Sequence, residues 1–142
     1  MNIDQIINIL KSTKLFAGMS DSLLYALAFS ADITSFSTGD VLVKSSGTEL
    51  KAIIILEGRA FVQKKSKPIE LKSGSVIGML SLINNSVIKE PVIAGSSGQC
   101  LILNSELFNK LSKEFQSFPK HLLDYFQSGL NKQVDELSQV TN

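Results

Sequence analysis

"KAIIILEGRAFVQ", residues 51–63, decides how this chain is read. Residues 51–56 and 59–63 are runs of β-branched, aliphatic and aromatic side chains, separated by the turn dipeptide Glu57-Gly58. Each run is too short for a stable helix and is bounded by a turn signal, so each reads as a strand. The same grammar extends outward on both sides. "DITSF" (32–36), "VLVK" (41–44), "IELK" (69–72), "SVIG" (75–78), "PVIA" (91–94) and "QCLIL" (99–103) complete eight predicted strands. "STGD", "SSGTE", "KKSKP", "KSG", "GSSG" and a longer insert over 79–90 separate them. Many short strands at close spacing predict a mainly β fold, an eight-stranded antiparallel barrel or jelly roll. Lys64, Lys65 and Lys67 fall at a predicted hairpin tip, where a solvated turn is favoured over an anion site.

Both ends read as helices. Ile3, Ile6, Ile7 and Leu10 occupy one helical face, and Ser20 is placed to cap a second helix carrying Leu23, Leu24 and Leu27. "SELFNKLSKEF" (105–115) suits a helix capped by Ser105, and Pro119 opens a last one. The expected organisation is one domain over 1–142, with N-terminal helices over 1–30, the β-roll over 31–104 and C-terminal helices over 105–142.

Composition narrows the function classes. The 142 residues are 44% hydrophobic with a net charge of +1, enough for a globular core burying ~68% of the unfolded surface. That charge lacks the basic excess nucleic-acid binding uses, so no nucleic-acid partner is expected. The longest clearly apolar run, Ala52 to Leu56, cannot span a bilayer, and Asp4, Gln5 and Asn8 interrupt any signal-peptide-like stretch. Cys100 stands alone and suits a reducing compartment. A soluble cytoplasmic protein without a membrane partner is the expectation.

Five local patterns, in order and without gaps, resemble those of the cyclic nucleotide-binding domain family. "LFAGMSDSLLYALA" is similar to its first helix, and "FSTGDVLVK" to its F-x-x-G-E-x-I strand, with Gly39 and Asp40 in the Gly and acidic places. "IIILEGRAFV" resembles its [YF]-I-[LV]-x-x-G-x-[VA]-x-V strand pair, with Gly58 at the hairpin. "LKSGSVIG" resembles the L-x-x-G-D-x-F-G approach to the ligand, and "CLILNSELFNKL" the closing strand and helix. The resemblance runs from Leu15 to Leu111 and implies a jelly roll (a double-stranded β-helix) with flanking helices.

It also implies a phosphate-binding cassette, F-G-E-[LIV]-[AS]-L, a loop, then P-R-[ST]-A, and residues 77–94 match it in length. Ile77 and Gly78 take the F-G places, and Leu80, Ser81 and Leu82 fill the helix. Met79 stands in place of the Glu and Ile88 in place of the Arg, with Lys89 and Glu90 after it. The family's Arg pairs the phosphate and its Glu accepts from the ribose hydroxyl. Losing both removes about 3–6 kcal/mol, a weakening of roughly a hundred-fold to ten-thousand-fold. Two rescues are open: a loop slip that brings Lys89 to the Arg position, or the single Arg59 reaching in. Otherwise Met79, Val87 and Ile88 fill the space, which the sequence favours. The candidate binding positions are therefore Gly78, Met79, Leu80, Ser81, Ile88 and Lys89.

Nothing in the residues composes an active site. One His, His121, lies in the last helix, and several ligands on strands would be needed for a metal. Cys100 reads as a core residue without a base nearby in sequence. No catalytic residue, metal site or cofactor is expected, and the chain is not read as an enzyme. Leu123, Phe126, Leu130, Leu137 and Val140 fall at heptad a and d positions. This stripe either lids its own roll or pairs two copies, and its reach to the chain end favours a homodimer. The function expected is a non-enzymatic regulatory or interaction module with a protein effector. The alternative is a small-ligand sensor that binds a cyclic nucleotide or other anion unconventionally.

Overall fold

The computed structural model describes residues 1–44, 48–86, 88–130 and 140–141, with 129–130 and 140–141 described by their backbone. Helix α1 spans Ile3–Ser12 and α2 Asp21–Ser30. Asn2 and Gln5 cap α1 reciprocally, and the Ser20 hydroxyl accepts from the Leu23 N–H at the start of α2. Then come β1 (Asp32–Phe36), β2 (Val41–Val43), β3 (Lys51–Glu57), β4 (Ala60–Val62), β5 (Ile69–Leu71) and β6 (Val76–Ile77). The short helix α3 (Met79–Asn84) precedes β7 (Val92–Ala94) and β8 (Gly98–Asn104). Helices α4 (Ser105–Glu114) and α5 (Ser117–Leu130) follow, and β9 is Val140–Thr141.

All eight expected strands form, but a mainly β fold closed as one eight-stranded jelly roll does not. The strands divide into two antiparallel sheets, ordered β1-β8-β3-β6-β9 and β2-β7-β4-β5, and with five helices among the described residues the fold is mixed α and β. Strand β3 shows the physical reason. Its Ala52, Ile54 and Leu56 pack among the helices, with Leu10, Phe16, Leu27 and Phe118, while Ile53 and Ile55 pack toward the other sheet. A run apolar at every position is a strand covered on both faces, and here helices form one of the two covers. The helices are thus a full layer of the core, not a flank to a roll.

The second correction concerns Gly58. Strand β3 pairs with β6 and β8, whereas β4 pairs with β5 and β7, so the two runs of the opening stretch make no hairpin. Gly58 instead carries the chain from one sheet to the other. Its φ of 81° and the Ser97 carbonyl oxygen, 2.5 Å from where a Cβ would sit, both demand glycine. The 63–68 loop, by contrast, joins the paired strands β4 and β5 as expected.

The helical cap positions shift slightly. Asn104, not Ser105, caps α4: its Oδ1 accepts from the Leu107 N–H at 2.8 Å, and Ser105 is already helical. Pro119 is the third residue of α5, where its missing N–H is still one the helix cannot use. The heptad stripe divides. Phe118, Leu122 and Phe126 are buried in the chain's own core, while Leu123 is 46% exposed. Val140 is not on a helix; it pairs with Ile77 at the edge of the five-stranded sheet. The side chain of Leu130 and the whole of Leu137 lie outside the described residues. No helix among the described residues is long and apolar enough to cross a membrane.

Candidate functional site

Strand β6 and helix α3 meet at Gly78, the hinge of the expected cassette. Pairing of Ile53 with Ile77 lays this turn against the start of β3. Gly78 has φ of +93°, a left-handed conformation, and caps α3 without a side-chain hydrogen bond. A Cβ here would collide with the Lys51 carbonyl oxygen and stand 2.8 Å from Ile88 Cδ1. The glycine is therefore required by close packing against protein atoms, with no ligand needed to explain it.

The neighbouring groups are spent internally. The Ser81 hydroxyl lies 2.6 Å from the Gly78 carbonyl oxygen and 3.3 Å from that of Lys51. Its single proton is donated to the nearer, and the residue is wholly buried. Met79 is wholly buried too, in the core shared with the helices, and Leu80 packs half-buried against the same core. Ile88 is buried in the other core, between the sheets, among Val43, Ile53, Ile77 and Val92. The two positions that the resemblance assigns to polar anchors thus serve two different hydrophobic clusters. Val87 lies outside the described residues.

Neither rescue is realised. Lys89 is exposed and lines a groove with Lys64 and Lys65, not the Gly78 turn. Arg59 donates its backbone N–H to Ser96 Oγ at 3.0 Å, and its guanidinium lies 3.8 Å from a Glu70 carboxylate oxygen. A cleft of about 270 Å³ does remain beside Ile88, lined by Val41, Val43, Lys44, Glu49 and Lys51. The Lys51 ammonium there is paired with Glu49 at 3.1 Å, which reduces its pull on an incoming anion. Sequence reasoning missed this use of Lys51, because its part in the turn is played by a backbone carbonyl.

The remaining reactive groups are placed apart. Cys100 is buried between the sheets, where desolvation pushes its thiol up from the ordinary range despite the opposing field of Lys51. A protonated, enclosed thiol is a poor nucleophile. His121 Nε2 lies 3.0 Å from the Leu15 carbonyl oxygen, so the ring donates there and ties α5 to the α1–α2 turn. Among the described residues no group of three or more His, Cys, Asp or Glu side chains could hold a metal ion. No protein-family model and no curated protein matches the chain.

Proposed function

We propose that this chain is a non-enzymatic, cytoplasmic regulatory or interaction module, akin to a cyclic nucleotide-binding domain whose cassette is filled by its own side chains. The observation that carries this reading is the contact of Ile88 with Gly78. The side chain standing where the phosphate-pairing Arg would be lies 2.8 Å from the site of a Gly78 Cβ. Burial of Met79 and Ser81 supports it, since these positions would otherwise face a ligand. A module that does not switch on a nucleotide acts through its surface, so its effector is a protein. Pairing with a second copy belongs to the same proposal and rests on the outward side of α5, where Leu123 is exposed.

Isothermal titration of the protein with cyclic AMP and cyclic GMP tests the filled cassette. Neither should give saturable heat at micromolar concentration. A micromolar isotherm for either ligand would establish the alternative, a sensor that holds the nucleotide without the usual anchors.

A further inference from the structure

Strand β9 joins the five-stranded sheet by two residues, Val140 opposite Ile77 and Thr141 opposite Val76. Among the described residues β6 is its only strand neighbour. The strand it joins is held far more firmly. Strand β6 pairs on its other side with β3, Ile77 with Ile53 and Val76 with Ile54. Just before it, the Ile55 N–H donates to the Ser75 carbonyl at 2.9 Å and the Gly74 N–H to the Ile55 carbonyl at 2.8 Å. Val76 is buried in the helix-side core and Ile77 between the sheets. A rigid acceptor thus meets a short donor that is tied on one side. We propose that β9 is a removable strap over the β6 edge, and that an extended segment of the effector protein takes its place there.

This rests on the reading of the chain as a protein-interaction module and names the surface used. With β9 lifted away, β6 becomes the last strand of its sheet, and an edge strand is a template for another. Strand addition at an edge draws its affinity from backbone hydrogen bonds. The seated β9 therefore displays what the partner must supply: an extended, antiparallel backbone without proline where it pairs. A two-residue strand with one neighbour lies at the low end of local opening free energies. It is also tethered, since only nine residues, 131–139, separate it from the end of α5. A tethered segment competes at high effective concentration. The strap thus sets a threshold, turning away casual strands and yielding to a segment that adds contacts beyond the short ladder.

Amide hydrogen exchange of the intact protein, followed by NMR, tests whether the strap opens. In a two-residue antiparallel pair one N–H of β9 points at β6. That amide should exchange roughly a hundredfold faster than the Ile55 amide inside the sheet. Equal protection would overturn the proposal. The acceptor is probed with a synthetic peptide of residues 136–142, ELSQVTN, titrated into the wild type and a Val140→Pro, Thr141→Pro variant. Proline at both positions removes whichever N–H faces β6. Saturable binding to the variant is expected, roughly tenfold tighter than to the wild type, where β9 holds the edge. The same peptide carrying both prolines should not bind. No saturable binding to the folded variant, equal affinity for the two proteins, or binding of the proline peptide would each overturn the proposal. A wild-type dimer that became monomeric in the variant would also overturn it, in favour of strand exchange between two copies. The exchange measurement needs no variant and decides the matter if this one does not fold. Cyclic nucleotide titration reads the cassette separately, so failure of either result leaves the other standing.

Discussion

Ile88 and Lys89 are adjacent in the chain and meet opposite fates. Ile88 is 5% exposed, packed between two sheets and against Gly78, while Lys89 is exposed and lines a surface groove. The two ends of the 78–91 segment differ in the same way. At its start the Ser81 hydroxyl is taken by the Gly78 carbonyl, and the Gly78 turn is crowded by the Lys51 carbonyl and the Ile88 side chain. At its close Lys89 remains at the surface. The contrast teaches that a glycine turn ahead of a short helix can be filled by the chain's own side chains. Met79 and Ile88 join the cores on either side of the five-stranded sheet, while Lys89 stays at the surface.

The largest effect should come from restoring the charges. Met79→Glu with Ile88→Arg places a carboxylate in the helix-side core and a guanidinium between the sheets, in two separate hydrophobic clusters. An unpaired buried charge costs about 3–5 kcal/mol, and two approach the whole stability of an ordinary domain. The double variant should be unfolded or nearly so by circular dichroism. A folded double variant with new affinity for cyclic AMP would break the comparison, since the cassette would then be open and convergent.

Next in size is the split stripe of α5. Phe126→Ala removes a ring from the core and should cost about 3–5 kcal/mol, read as a lowered denaturation midpoint. Leu123→Asp, on the outer side, should change monomer stability by only about 0.5 kcal/mol. Sedimentation of the wild type should show a dimer, and this variant a folded monomer. A wild-type monomer at tens of micromolar would assign the whole stripe to the chain's own core.

Gly78→Ala sharpens the reading of the turn. A left-handed φ and the facing Lys51 carbonyl should together cost about 2–4 kcal/mol. By contrast Gly39→Ala, also left-handed at φ of +92° but with nothing within 4 Å of an added Cβ, should cost about 1 kcal/mol. Equal losses at the two positions would show that conformation alone, not close packing, fixes Gly78.

Much of this architecture was legible because its signals are local. The eight strand positions follow from short apolar runs between turn residues, and the Ser20 cap from its own side chain. What could not be read was pairing. Gly58 marks a break equally well in a hairpin and in a crossing between sheets, and only long-range contacts distinguish them. The unbroken apolar run of β3 was read only as a strand, and its cover on both faces, one of them by helices, emerges from the packing. At the positions the resemblance compares with a cassette, Met79 and Ile88 are apolar in the sequence itself. That they enter different cores depends on which face of a twisted sheet each residue meets, which no spacing rule supplies. Nor did Lys89 announce its meeting with Lys64 and Lys65, which depends on the Val62 and Val92 register.

The contact between Ile88 and Gly78 is the centre of this account, and proton NMR of the free protein reads it directly. A strong cross-relaxation peak between the Ile88 δ1 methyl and the Gly78 α protons is predicted, and both resonances should stay in place when millimolar cyclic AMP is added. Absence of that peak, together with a saturable shift of the Gly78 amide on titration, would contradict the filled cassette.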